Sequence, residues 1–128
     1  MTRGLADTTL FIARESGRPL EAGAIPDEIS VSVITIGELR AGVLAARDVE
    51  TRDRRLVTLT HALAFEPLPI DERVAESWAR LRVLLRERAR RMSVNDSWIA
   101  ATAMSLAVPV VTQDQDYVEV AGLEVIVV

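Results

Sequence analysis

Five carboxylates stand where short apolar runs give way to polar or small residues: Asp7 in GLADTT, Glu38 in SVITIGEL, Asp96 in SVNDSWIAA, and Asp114 with Asp116 in VVTQDQD. If the strands that precede them are parallel, these positions fall at one edge of one sheet. Carboxylates gathered there repel one another unless a hard cation sits among them. Octahedral coordination by carboxylates, waters and phosphate oxygens is the habit of Mg²⁺ and Mn²⁺. Such a set is suited to metal-dependent phosphodiester hydrolysis.

The rest of the inventory excludes other chemistries. There is no cysteine, hence no disulfide framework, thiolate zinc site or cysteine nucleophile, and the single histidine, His61, argues against a Ser-His-Asp triad. No apolar stretch approaches the roughly 18 residues of a membrane span. The N-terminal MTRGLADTTLFIARE reaches an acidic residue too early for a signal peptide, so a cytoplasmic, soluble protein is expected. Net charge is −4, which weakens broad nonspecific nucleic-acid binding. All 15 basic residues are arginine, whose rigid fork of donors suits phosphate or carboxylate. Genomic base composition is an equal explanation of that choice.

The 128 residues, 49% of them hydrophobic, suit one domain spanning 1–128 with one core. Gly4 to Ala6 reads as a strand ending at Asp7, and Thr8 to Glu15 as a helix closing near Gly17. Ile29 to Ile34 reads as a second strand, followed by helices over Glu38 to Ala46 and Glu50 to Ala64, the latter with Leu56, Leu59 and Leu63 at helical spacing. Glu66 to Ile70, broken by two prolines, reads as a short irregular strand. A long helix from Asp71 to about Arg91 buries Val74, Trp78, Leu81 and Leu85, and an alanine-rich one runs from Val94 to Leu106 with Ile99 and Ala103 inward. Val108 to Thr112 and Glu124 to Val128 are the last strands. Alternating strands and helices predict a parallel α/β sheet, with ligands beyond the carboxyl ends of the strands.

Each acid also has a plain structural reading. Asp7 suits an N-cap, worth ~1 kcal/mol. Thr35-x-x-Glu38 fits a capping box, unless the helix begins later and frees the carboxylate. Asp96 is the fourth residue of another capping pattern, Ser93 to Asp96, but the apolar helix after it buries its surroundings, where a carboxylate is costly unless paired, capped or metal-bound. Asp114 and Asp116 lie in a polar turn where one of them can be a solvated Asx-turn. Thr112, closing its strand, is placed to orient a carboxylate or a metal-bound water. The joint order of these residues is a stronger signal than any one of them.

Those residues resemble the PIN-domain ribonucleases, and among them the VapC-type toxins of bacterial toxin–antitoxin pairs. The resemblance covers essentially the whole chain, through LADTTLFI, VITIGELRAGV, NDSWIAATA and VPVVTQDQDY, the second and third being most specific. It implies a three-layer α/β/α sandwich with a central parallel sheet, and a Mg²⁺- or Mn²⁺-dependent endoribonuclease that cuts single-stranded or loop RNA. It implies Asp7, Glu38, Asp96 and Asp114 as metal-binding acids, Asp116 as a candidate fifth, and Thr8 and Thr112 as supporting hydroxyls. It further implies a cognate antitoxin and a homodimer, for which the exposed faces of the helices from Glu38 to Ala64 are candidate surfaces. Thr9 departs from the family's usual Asn or Ser, and without lysine any basic substrate contact falls to arginine. Arg82, Arg86 and Arg90 share one helix stripe, which reads either as an RNA-backbone track or as a solvated face paired with Glu76 and Glu87.

Two other readings compete. One is a binding module whose acidic pocket receives a partner's arginine. The other is a phosphoryl-transfer enzyme with an aspartyl nucleophile at Asp7, which Thr9 disfavours because many such enzymes carry an acid there.

Overall fold

The structure is a computed structural model that describes residues 1–128. Strands β1 (Arg3–Ala6), β2 (Glu28–Val31), β3 (Val110–Thr112) and β4 (Val125–Val127) form one sheet, ordered β2-β1-β3-β4. All three pairings are parallel. Helices α1 (Thr8–Glu15), α2 (Val33–Ala45), α3 (Val49–Leu63), α4 (Glu72–Glu87) and α5 (Val94–Leu106) connect the strands. No helix is long and apolar enough to cross a membrane.

Alternation along the strands makes two cores. Leu5 and Val110 face one way, into a cluster with Leu81, Leu85, Ile99 and Ala103 from α4 and α5. Ala6, Val31 and Val111 face the other, against Leu10, Phe11, Leu39 and Leu59 from α1, α2 and α3. The sheet is thus covered on both faces, as an all-parallel sheet must be, and the expected three-layer α/β/α sandwich is what forms. Gly4 is required where β1 meets β3, because a Cβ there would stand 2.6 Å from Val111 Cγ2.

The chain leaves β1 toward β2 on one side, then returns to build β3 and β4 on the other. The carboxyl ends of β1 and β3 therefore flank the topological switch point, where such sheets open a crevice. Asp7 follows one of these ends, and Thr112 is the other.

Several expected boundaries shift. The second strand stops at Val31, and α2 begins at Val33, five residues before the expected Glu38. Ser32 is its N-cap, accepting from the Ile34 N–H at 3.0 Å, so Thr35 and Glu38 lie inside the helix and form no capping box. Glu66 to Ile70 is not a strand: with Pro67 and Pro69 lacking N–H groups, only Leu68 bridges to Ser32. Leu59 is buried in α3, but Leu56 and Leu63 are exposed, and Thr58 and Ala62 complete the inner face instead. α4 ends at Glu87, so Arg90 lies beyond the helix and not on its stripe.

Candidate active site

Asp7 is 2% exposed and N-caps α1, its Oδ1 accepting from the Thr9 N–H at 3.0 Å and from the Thr9 hydroxyl. Its Oδ2 accepts from the Thr112 hydroxyl at 2.6 Å. The cap reading and the site reading are therefore both satisfied by one side chain. Thr112 Oγ1 also accepts from the Asp114 N–H at 3.0 Å, and Thr9 Oγ1 from the Gln113 N–H at 2.9 Å. Two hydroxyls thereby tie the end of β1 to the turn after β3.

Glu38 is half-buried in the second turn of α2, and its Oε1 accepts from the Thr8 hydroxyl at 2.7 Å. Thr8 Oγ1 also lies 3.0 Å from that of Thr35, which is fully buried. Asp96 sits in the first turn of α5. Ser93 caps that helix by accepting from the Asp96 backbone N–H at 3.1 Å, so the Asp96 side chain is not needed as the cap. Helix α5 thus does begin at the edge where β1 and β3 end.

The electrostatics link these residues. Burial is the main cause that raises the Asp7 carboxyl above its ordinary value, with a contribution from the charge of Asp96. Hydrogen bonds from Thr112 and Thr9 oppose it. Asp96 is raised too, first by burial and then by the charges of Glu38 and Asp114, while the Ser93 hydroxyl opposes. Asp96 is thus the acid that links the others: its charge reaches Asp7, and those of Glu38 and Asp114 reach it. Asp114 and Asp116 are both exposed; the Asp116 backbone N–H donates to Asp114 Oδ1 at 2.9 Å, an Asx-turn, and of the two only the charge of Asp114 acts on Asp96.

Three further residues enter the site whose part in it the sequence does not announce. Thr9, a departure from the family pattern, places its hydroxyl on both Asp7 and the β3 turn. Thr35, expected as a cap, supports the Thr8–Glu38 pair. Tyr117 is buried with a hydroxyl that has no hydrogen-bond partner. Its phenol is pushed far up by burial and by the charges of Asp96, Asp7 and Asp114. A tyrosine after a polar turn resembles any core aromatic, so only its hydroxyl's surroundings reveal it.

The donor set is all oxygen and hard, and its two central acids are raised first by burial and then by their acidic neighbours. It suits Mg²⁺ or Mn²⁺ in chemistry. As the side chains stand, no three acids converge tightly enough to hold an ion. Of the acidic partners expected for the arginines, Glu76 pairs with Arg80 at 2.9 Å and Glu87 pairs with none, while Arg82, Arg86 and Arg90 are exposed.

The PIN domain family matches residues 5–123. The chain is similar to Ribonuclease VapC5 of Mycobacterium tuberculosis, with 50% identity over 119 residues that make up 93% of this chain and 88% of that protein. It is also similar to Ribonuclease VapC4 of the same organism, with 48% identity over 126 residues, covering 98% and 97%. Its fold is similar to the crystal structure of VapBC-5 from Mycobacterium tuberculosis, a member of the VapBC family of toxin-antitoxin systems, at a TM-score of 0.90 and 44% identity, with 100% of both chains covered.

Proposed function

The chain belongs to the PIN-domain family, and on that premise we propose that it is a metal-dependent endoribonuclease acting as the toxin of a toxin–antitoxin pair. The observation that carries this reading is the buried Asp7 carboxylate, held on both oxygens at the sheet's switch point within the field of Asp96. The ribonuclease names of its relatives, at about half identity, point the same way.

Asp7, Glu38, Asp96 and Asp114 would hold the cation. When bound, Mg²⁺ or Mn²⁺ supplies Lewis acidity toward water and the phosphodiester. The protein's part is to preset the donors. Thr112 and Thr9 fix the plane of the Asp7 carboxylate, and Thr8 engages Glu38 Oε1, leaving Oε2 to bind or to accept a proton from water. Hydrolysis forms a bond from the water oxygen to phosphorus and breaks one P–O ester bond, with the proton passing to the leaving oxygen. No protein nucleophile takes part. Asp7 is therefore not read as a phosphoryl acceptor; two residues on, where many enzymes with an aspartyl nucleophile carry a second acid, stands Thr9.

The partner follows from the same charges. A guanidinium binds two carboxylate oxygens at once, so an antitoxin arginine would silence this pocket. The cleft of about 230 Å³ that Glu38 shares with Ile12, Glu15 and Arg55 is an approach to it. Leu44 and Val49, 77% and 79% exposed on α2 and at the start of α3, support a homodimer contact on that face.

The direct test is incubation of the purified chain with single-stranded RNA. Cleavage with Mg²⁺ or Mn²⁺ that stops in EDTA is the expected result. The spread of the acids favours one second reading, a binding module whose pocket only receives a partner's arginine. Partner binding with no cleavage under any divalent cation would select it.

A further inference from the structure

Helix α4 ends in a left-handed turn. Ala89 stands at φ 51, its N–H donates to the Arg86 carbonyl at 3.1 Å, and the Arg90 N–H donates to the Leu85 carbonyl at 2.9 Å. This pair of bonds is a Schellman closure, which reverses the chain. Arg90 and Arg91 are thereby brought back to the last turns of the helix, where Arg82 and Arg86 stand four residues apart on one side. The four arginines surround a cleft of about 240 Å³ whose other walls are Leu85 and Met92. No carboxylate lines it, and the two ion pairs of the structure, Arg3–Glu28 and Arg80–Glu76, involve none of the four. Cations near a helix C-terminus offset a dipole of only about half a charge. Four unpaired guanidinium groups exceed that need and repel one another, which a bound anion would relieve.

The cleft is also joined to the acids. The Arg82 guanidinium carbon lies 5.3 Å from the centroid of Trp78. Trp78 stacks on Trp98 with centroids 4.4 Å apart and planes 8° from parallel, and its indole N–H donates to Ser97 Oγ at 2.9 Å. Trp98 and Ser97 follow Asp96 directly in α5. A guanidinium laid on an indole is already partly ordered, so gripping an anion costs it less freedom.

The geometry points to this arginine cleft as a second subsite for the RNA strand: it holds a backbone phosphate away from the bond cut among the acids, with Trp78 fixing Arg82. The inference rests on the nuclease reading and deepens it. A discrete cleft over the buried Leu85 suits a single phosphate of a flexible strand better than it suits a membrane plane.

The test uses the full chain with Asp7→Asn, so that bound RNA is not cut, and a fluorescent single-stranded RNA titrated over a range of salt. Adding Arg86→Gln, Arg90→Gln and Arg91→Gln together should weaken binding at least about tenfold. It should also flatten the plot of log K against log salt by about 0.7 for each phosphate that arginine no longer neutralises. Arg73→Gln, on the first turn of the same helix, should change neither. Arg82→Lys, which keeps the charge and loses the planar stack, should weaken binding roughly threefold with the salt slope held. In the otherwise unaltered chain, the triple substitution should raise KM and spare kcat. Unchanged affinity and slope in the triple variant, with RNA cleavage by the unaltered chain intact, would overturn the subsite and leave the nuclease standing. Loss of antitoxin binding with RNA affinity preserved would overturn it in favour of an acidic peptide. A chain that neither cuts nor binds RNA would remove both readings together.

Discussion

The Thr112 hydroxyl donates to Asp7 Oδ2 across 105 positions of sequence and accepts from the backbone N–H of Asp114. One hydroxyl therefore sets two acids, donating its proton to the first and offering a lone pair to the second. Thr112→Val leaves a buried carboxylate oxygen and a backbone N–H short of partners. It should cost roughly 1–3 kcal/mol of stability and reduce cleavage at limiting Mg²⁺, whereas Thr112→Ser should restore most of both. Thermal melts and metal titrations of the two variants check this, and a Val variant with unaltered melting would show that the bond carries no weight.

Asp7→Asn and Asp96→Asn each remove one charge from a repelling set, and Asn serves as an N-cap as well as Asp does. RNA cleavage should fall by more than the roughly 10–100-fold typical of residues outside the ligand set. Thermal stability without metal should hold or rise. Full activity in both variants, or in EDTA, would exclude the proposed chemistry.

Because Asp7 and Asp96 are raised in the folded chain, the folded state holds their protons more tightly than the unfolded state does. Their contribution to stability is fully present below the ordinary aspartate value and is lost as pH rises through the raised ones. The metal-free protein should therefore be more stable in mildly acid buffer than its double Asn variant predicts, with the difference shrinking toward neutrality. Comparison of the two melting curves isolates these residues from Asp48, whose carboxyl is held low by the Thr51 N–H and hydroxyl and so acts in the opposite sense. Saturating Mg²⁺ should flatten the difference. A difference that grows with pH would reverse the assignment.

The two late acids should separate. Asp114 contributes charge to Asp96, while Asp116 offers only its N–H to the turn. At saturating Mg²⁺, Asp114→Ala should slow cleavage at least about tenfold more than Asp116→Ala, in line with the loss of a ligand rather than of an outer residue. Equal rates would place both carboxylates in the site.

Expression of the chain alone should arrest growth, and co-expression with the product of a neighbouring gene should relieve the arrest and yield a co-purifying complex. Changing the inserted arginine of that partner to alanine should return RNA cleavage even where the complex survives. Harmless overexpression with the four acids intact would remove the toxin assignment.

The acids and the parallel sheet are legible in the sequence because they obey local rules: β-branched runs make strands, and charged groups fall where the runs stop. What escapes is set by contacts made at a distance. Ser32 displaces Thr35 as the α2 cap, since Val33 starts the helix and the Ser32 hydroxyl accepts from the Ile34 N–H, while Ser32 also bridges to the distant Leu68. The Thr9 and Tyr117 hydroxyls acquire meaning only once β3 lies beside β1 and α5 packs over it. Arg90 continues the helical spacing of Arg82 and Arg86, but Ala89 takes a left-handed conformation that spacing does not announce.

The pairing of β1 with β3 also bears on synthesis. Strand β1 takes one of its two partners, β3, from late in the chain, so the Thr112 bond to Asp7 must wait for more than a hundred further residues. A fragment that stops before β3 contains Asp7, Glu38 and Asp96 but lacks the strand that fixes the first of them. Prematurely ended translation products should therefore be harmless, and a nascent chain has no finished site with which to attack the message being read.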